Sequence, residues 1–229
     1  MMKKQLIPRD ISWLSFNARV LQEANDETVP LKERIRFLGI FSNNLDEFFR
    51  VRVATLKRMI EFGEKRRKAN MHMEENPQHI LDQIQITVLK QQNEFNRIWN
   101  GILKELKEEK IILVDESHLN KQQKEFVKHY FDEQVRNNVI PLMIEGLAQM
   151  PYLRDKSLYL AVVMRKKNDA YQQKYALIEV PAKALGRFIL LPSKEGEKHI
   201  ILLEDLIRYN LPDIFSYFGY DYFEAQIFK

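Results

Sequence analysis

PLKERIRFLGIFSNNLDEFFRVRVATLKRM, residues 30–59, crowds large apolar side chains, a polar Ser42-Asn43-Asn44 notch and a basic tail into one helical pattern. Leu31, Ile35, Leu38, Phe41, Leu45, Phe48, Phe49, Leu56 and Ile60 mostly recur at steps of three and four, which places them along one helix face. The stretch reads as the core of a first domain, as one helix or two. Pro30 suits a first helical turn and Glu33 the positive end of the helix dipole. Gly39, Ser42, Asn43 and Asn44 are poorer helix formers, so a break at the notch is expected. Asn44 then has two readings. It caps a second helix, with Glu47 three residues on as the acidic partner of a capping box, or its amide presents a donor and an acceptor to a ligand.

Working outward, Asp10 is a good cap for a helix running to about residue 25, with Ile11, Leu14, Ala18, Leu21 and Ala24 on one face. Trp13 and Phe16 widen that apolar side, and Trp13 is expected to pack in the core. The central stretch fades near Gly63 into the charged run Glu64-Lys65-Arg66-Arg67-Lys68, which reads as a solvated loop. Asn76-Pro77 opens a helix in which Ile80, Ile84, Val88, Gln91, Phe95, Ile98, Ile102 and Leu106 keep the three-four spacing and can close a three-helix unit.

Beyond Lys110 the texture changes. Residues 111–114 read as a short strand and 122–136 as a helix; 158–164, 175–180, 187–191 and 199–202 read as strands rich in Val, Ile, Leu and Tyr. Residues 204–209 and 212–217 suit brief helices, and 220–228 a further strand. The expected architecture is a mainly α, three-helix domain over 1–108 followed by an α+β domain with short strands over 109–229.

Composition excludes several classes. With 45% apolar and 30% charged residues and no cysteine, the 229 residues form no disulfide scaffold or thiolate metal site, and a formal charge of +4 is too mild to name a partner, although a local cluster can still hold an anion. Apolar runs fall short of the roughly 18 residues a membrane helix needs, and Met1-Met2-Lys3-Lys4 lacks the apolar segment of a signal peptide, so a cytoplasmic protein is expected. Seven scattered glycines make no phosphate-binding loop. His72, His79, His118, His129 and His199 lack metal-ligand spacing, and His129, the closest candidate, reads as a helix-surface or packing residue. No nucleophile with a supporting base emerges.

The basic end of the central stretch offers more. Arg50 shares a face with Lys57 and Glu61, four residues after Asp46, as a solvated salt-bridge residue would. Arg52 falls among Phe48, Phe49 and Leu56, where it must either run its stem along the core to reach water or meet a buried anion. A polyanion channel would want Arg52, Lys57 and Arg58 facing inward. A different class remains open: a non-enzymatic helical adaptor or nucleotide-sensing module whose basic loop, Lys65 to Lys68, holds an anion. No aromatics interleave with that loop as a nucleic-acid surface requires.

Ile11-Ser12-Trp13-Leu14-Ser15-Phe16-Asn17, Arg19-Val20-Leu21-Gln22-Glu23-Ala24, Arg36-Phe37-Leu38-Gly39-Ile40, Ser42-Asn43-Asn44-Leu45-Asp46-Glu47-Phe48 and Val51-Arg52 resemble the start of the long bacterial polyphosphate kinases. The resemblance continues more thinly through Ile140-Pro141-Leu142, Ala176-Leu177-Ile178-Glu179-Val180-Pro181, Arg187-Phe188 and Leu206-Ile207-Arg208-Tyr209. It implies an enzyme moving the terminal phosphate of ATP reversibly onto polyphosphate, through a phosphorylated histidine and with Mg²⁺. In that family the second Asn of Ser-Asn-Asn contacts ATP, here Asn44. The resemblance places the histidine, phosphate-holding arginines and metal ligands in two later domains. This segment is then the N-terminal domain and part of the head domain, inactive alone, supplying a lid over the adenine. The implied partners are ATP or ADP, polyphosphate and further copies of the chain in a homodimer or larger homo-oligomer, with no nucleic acid. Peripheral attachment at the inner membrane is left open.

Overall fold

The computed structural model describes residues 8–67, 76–145, 149, 151–166 and 169–229. The chain divides into two compact units that meet between Leu106 and Lys107. The first is helical and the second is α+β.

The helical unit is built from α1 (Arg9–Asn25), α2 (Leu31–Phe48), α3 (Ala54–Arg67) and α4 (Pro77–Glu108), whose last residues pass into the second unit. The predicted break at Ser42-Asn43-Asn44 does not occur: α2 runs through the notch, and Asn44 is mid-helix rather than a cap. The irregularity lies further on, where a π-helical turn, Phe49–Val53, joins α2 to α3. Such a turn inserts one extra residue, so Phe48 and Val53, five apart, enter the same cluster. Helix α3 continues through Gly63 to Arg67, so the charged run expected as a loop is helical over residues 64–67, and Lys68 lies outside the described residues. At the start of α1 the cap position is Pro8; Asp10 sits inside the first turn and is buried, correcting its expected capping role.

Two apolar clusters hold the unit. One gathers Leu14, Phe48, Val53, Leu56, Ile84 and Val88; the other gathers Leu21, Ala24, Leu38, Phe41, Ile98 and Ile102. The expected faces of α1, α2 and α4 are therefore the buried ones, with two corrections. Phe16 and Phe49 are exposed, and Trp13 is half-buried, its ring stacked on Phe48 at 4.7 Å and 14°.

The second unit begins at β1 (Ile111–Leu113), then α5 (Lys121–Tyr130), which passes through a π-helical turn, Phe131–Val135, and a 3-10 turn, Arg136–Asn138, where one longer helix was expected. There follow β2 (Pro141–Met143), β3 (Leu158–Lys166), β4 (Asp169–Val180), α6 (Ala182–Leu185), β5 (Phe188–Leu191), β6 (Lys198–Leu202), α7 (Leu203–Tyr209), α8 (Leu211–Ile214) and β7 (Tyr222–Phe228). Strand β2 and helix α6 were not foreseen. A three-residue strand led by Pro141 carries almost no periodicity, and its place at a sheet edge is where proline is tolerated.

The strands form an antiparallel sheet ordered β2-β4-β3-β7 and a mixed sheet ordered β1-β6-β5, with β1 and β6 parallel. Alternation sends Leu160, Val162 and Met164 of β3 and Ala176, Ile178 and Val180 of β4 inward. They join Ile189, Leu191 and Ile201 of the mixed sheet, and Val127, Phe131, Leu206 and Phe215 of the helical segments, in one continuous core.

Candidate functional site: an amide layer and an ionic pocket in the helical unit

Three helices each place one primary amide between the two apolar clusters. On α1, Asn17 lies between Leu14 and Leu21; on α2, Asn44 lies between Phe41 and Phe48; on α4, Gln91 lies between Val88 and Ile98. Asn17 is fully buried and donates through Nδ2 to the Phe41 carbonyl at 3.3 Å. Its Oδ1 accepts from Asn44 Nδ2 at 3.0 Å. Gln91 Nε2 donates to the Leu14 carbonyl at 2.9 Å. Helix carbonyls already in the i→i−4 ladder keep a second lone pair, which lets a neighbouring amide bond to them without breaking the helix.

Asn17 therefore fixes which way Asn44 points. With Nδ2 drawn inward, Asn44 Oδ1 is turned away from Asn17, and among the described residues nothing bonds to it; the residue is half-buried. Asn43, its neighbour in the notch, is exposed. Asn17 escaped the sequence reading, although a polar residue in phase with Leu14 and Leu21 was the signal that could have found it.

One turn beyond Asn44, a cavity of about 370 Å³ is lined by Arg9, Asp10, Trp13, Glu47, Phe48, Val51 and Arg52. Here the two readings of Arg52 resolve: it meets a buried anion. Its Nε donates to Asp10 Oδ1 at 2.7 Å and its Nη2 to Asp10 Oδ2 at 3.1 Å, a fork that ties the π-helical turn to the start of α1. The bond from Asp10 holds the guanidinium above its ordinary pKa. Nη1 is not engaged by Asp10. Lys57 and Arg58 lie exposed on α3, Arg58 donating to the Ala54 carbonyl at 3.3 Å, and neither they nor Asn44 line this cavity. Arg50 is 3.6 Å from Glu47.

A second cross-link was also missed. Arg34, buried on α2, donates through Nε to the Ala24 carbonyl at 2.9 Å and through Nη1 to Glu105 at 2.8 Å.

In the second unit His199 lies between Gln123 Nε2 at 2.9 Å and Glu197 at 3.0 Å, while His129 is exposed beside Glu133. His72 lies outside the described residues. Among the described residues no group of three or more His, Asp or Glu side chains gathers as a metal donor set. No helix among them is long and apolar enough to cross a membrane.

A helical unit followed by an α+β unit of short strands is the fold class of this chain. It superposes on the crystal structure of polyphosphate kinase from Porphyromonas gingivalis with a TM-score of 0.83 at 33% identity, over 96% of this chain and 32% of that one. Residues 6–114 match the polyphosphate kinase N-terminal domain and residues 122–229 the polyphosphate kinase middle domain. The chain belongs to the polyphosphate kinase family. It is 45% identical over 222 residues to the polyphosphate kinase of Vibrio cholerae, covering 96% of this chain and 30% of the relative. It is 41% identical over 231 residues to that of Escherichia coli K12, covering 99% of this chain and 32% of the relative. The chain thus spans about a third of the length of the relatives it matches.

Proposed function

We propose that the chain is the adenine-side part of an ATP:polyphosphate phosphotransferase, ATP + polyP(n) = ADP + polyP(n+1), in which Asn44 contacts the nucleotide. The observation that carries this reading is the orientation of Asn44: its amide nitrogen is committed to Asn17 and its Oδ1 is left to a ligand. An adenine edge offers an exocyclic amino donor to such an oxygen. Polyphosphate carries about one charge per phosphate, and Lys57 and Arg58, exposed on one helix, with the Nη1 of Arg52, supply cations for its path. The phosphorylated histidine and the Mg²⁺ ligands belong to other parts of such an enzyme, and the working assembly is a homo-oligomer.

In a complete polyphosphate kinase carrying these residues, Asn44→Ala raises KM for ATP about 10-fold and lowers kcat less, because an adenine contact is remote from the transferred phosphate. An unchanged KM in a variant of unchanged melting temperature overturns the assignment. Lys57→Gln and Arg58→Gln flatten the salt dependence of polyphosphate binding, as fewer counterions are released per contact. The 229-residue chain alone, which has no phosphate loop and no supported nucleophile, takes up no label from γ-labelled ATP; stoichiometric acid-labile label on a histidine overturns that expectation.

A further inference from the structure

Between the end of β4 and the turn that leads into β3 lies a cavity of about 320 Å³ whose charge is unbalanced. Its rim carries Arg154, Lys156 and Lys183, and its polar lining includes Ser157, Glu179 and Asn138. Glu179 is already used: its Oε1 accepts from the buried Ser157 hydroxyl at 2.9 Å and its Oε2 lies 3.5 Å from Arg154. Lys156 and Lys183 are exposed, and among the described residues no carboxylate pairs with either. With Arg154, Lys156 and Lys183 against Glu179 and the exposed Asp155 of the same turn, the rim keeps a net positive charge.

The backbone fixes where Lys156 stands. Lys156 has φ of 60°, a left-handed conformation that only two non-glycine residues adopt among those described. Residues 154–157 form a turn in which the Ser157 N–H donates to the Arg154 carbonyl at 3.4 Å, and a bulky side chain at its left-handed position costs stability that glycine would not. The bond from the buried Ser157 hydroxyl holds Glu179 in place before anything binds.

We propose that this cavity is an oxyanion site for a small phosphate-bearing ligand, either a single phosphoryl group or the end of a phosphoanhydride chain. Lys156 and Lys183 supply point charges, Arg154 supplies guanidinium donors, and the Glu179 carboxylate holds the frame. The site is built from other residues and lies in the other unit from Asn44, so either proposal can fail alone.

Binding is measured by calorimetry on the intact 229-residue chain at low salt, where exposed charges are least screened, with orthophosphate, tripolyphosphate and ATP as separate probes. Saturable binding of tripolyphosphate with orthophosphate about as tight shows recognition of a single phosphoryl group; tripolyphosphate much tighter than orthophosphate shows recognition of a chain. ATP as tight as tripolyphosphate shows that the anhydride suffices whatever it is attached to. The decisive variant is Lys156→Gly, which removes the charge and relieves the left-handed strain, so its melting temperature holds or rises while affinity falls about 10-fold. Lys183→Gln falls similarly. A control pair on α5, Lys121→Gln with Lys124→Gln, removes two exposed charges elsewhere and leaves affinity within about 2-fold. No saturable binding of any probe, unchanged affinity in Lys156→Gly, or an equal loss in the control pair overturns the proposal.

Discussion

The two units differ in how the apolar core makes room for polar groups. In the helical unit neutral amides from α1, α2 and α4 lie between two clusters of buried apolar residues, which the half-buried Leu45 bridges. In the α+β unit the apolar core is one continuous cluster, and its buried carboxylate, Glu204, sits in the first turn of α7 paired with Arg187. The cause is where spare acceptors are. A helix backbone exposes carbonyl lone pairs to its neighbours, so Asn17 and Gln91 find partners mid-core. An inward strand position in β3 or β4 faces side chains alone, since the strand backbones bond within the sheet.

If the amide layer separates two clusters, truncations on opposite sides of it should be energetically independent. Leu38→Ala and Phe48→Ala, in different clusters and about 15 Å apart along α2, each cost about 2–5 kcal/mol, and the double variant costs their sum within about 0.5 kcal/mol. In the undivided core Phe215 stacks on Phe223 at 6.0 Å, so Phe215→Leu with Phe223→Leu departs from additivity by about 0.5–1.5 kcal/mol. Denaturant titration decides both, and strong coupling of Leu38 with Phe48 would erase the distinction between the units.

The ionic fork of the helical unit gives a smaller, asymmetric effect. Asp10 has a side chain only 7% exposed, whereas Arg52 is 35% exposed. Arg52→Ala strands a carboxylate in the core and costs about 3 kcal/mol. Asp10→Asn leaves a guanidinium that can swing its head to water along its own stem, and costs about 1 kcal/mol. Equal losses would mean that Asp10 reaches solvent by another route.

Much of this was legible in the sequence because period decides burial. The apolar faces of α1, α2 and α4 and the strand faces at residues 158–164 and 175–180 follow from spacing alone. What was not legible depends on partners distant in sequence. Asp10 and Arg52 are 42 residues apart, Arg34 and Glu105 are 71 apart, and no local pattern pairs them. The notch misled for the same reason: Ser42, Asn43 and Asn44 weaken a helix in isolation, but the bond from Asn44 to Asn17 and the packing of Phe41 and Phe48 outweigh tenths of a kcal/mol of propensity. The π-helical turn left a trace that was overlooked, a five-residue step from Phe48 to Val53 inside a pattern of threes and fours.

The smallest effect tests the margin of the second unit. Asp205, in the first turn of α7, is ion-paired with Arg208 at 2.6 Å, and Arg208 also reaches Glu116 at 3.1 Å. Burial pushes the Asp205 carboxyl up to about 6; Arg208 pulls it down, while Glu116 and Glu204 push it further up. Glu204 is itself paired with Arg187, so the α7 turn holds adjacent carboxylates, each with its own arginine. A folded-state pKa above the unfolded value means the folded chain binds more protons between about pH 4 and 6, so this group's contribution to stability falls as pH rises through that window and is flat above it. Asp205→Asn removes the titration and, at every pH, the ion pair. The variant's stability relative to the parent should therefore improve by about 1 kcal/mol from pH 4 to pH 7, discounting for the partial solvent access of the site, whatever its constant offset. Melting temperatures of the two proteins across that range give the difference directly. A gap that does not move with pH would show Asp205 to be solvated, and the buried charge at the margin of this core would then reduce to the pair of Glu204 with Arg187.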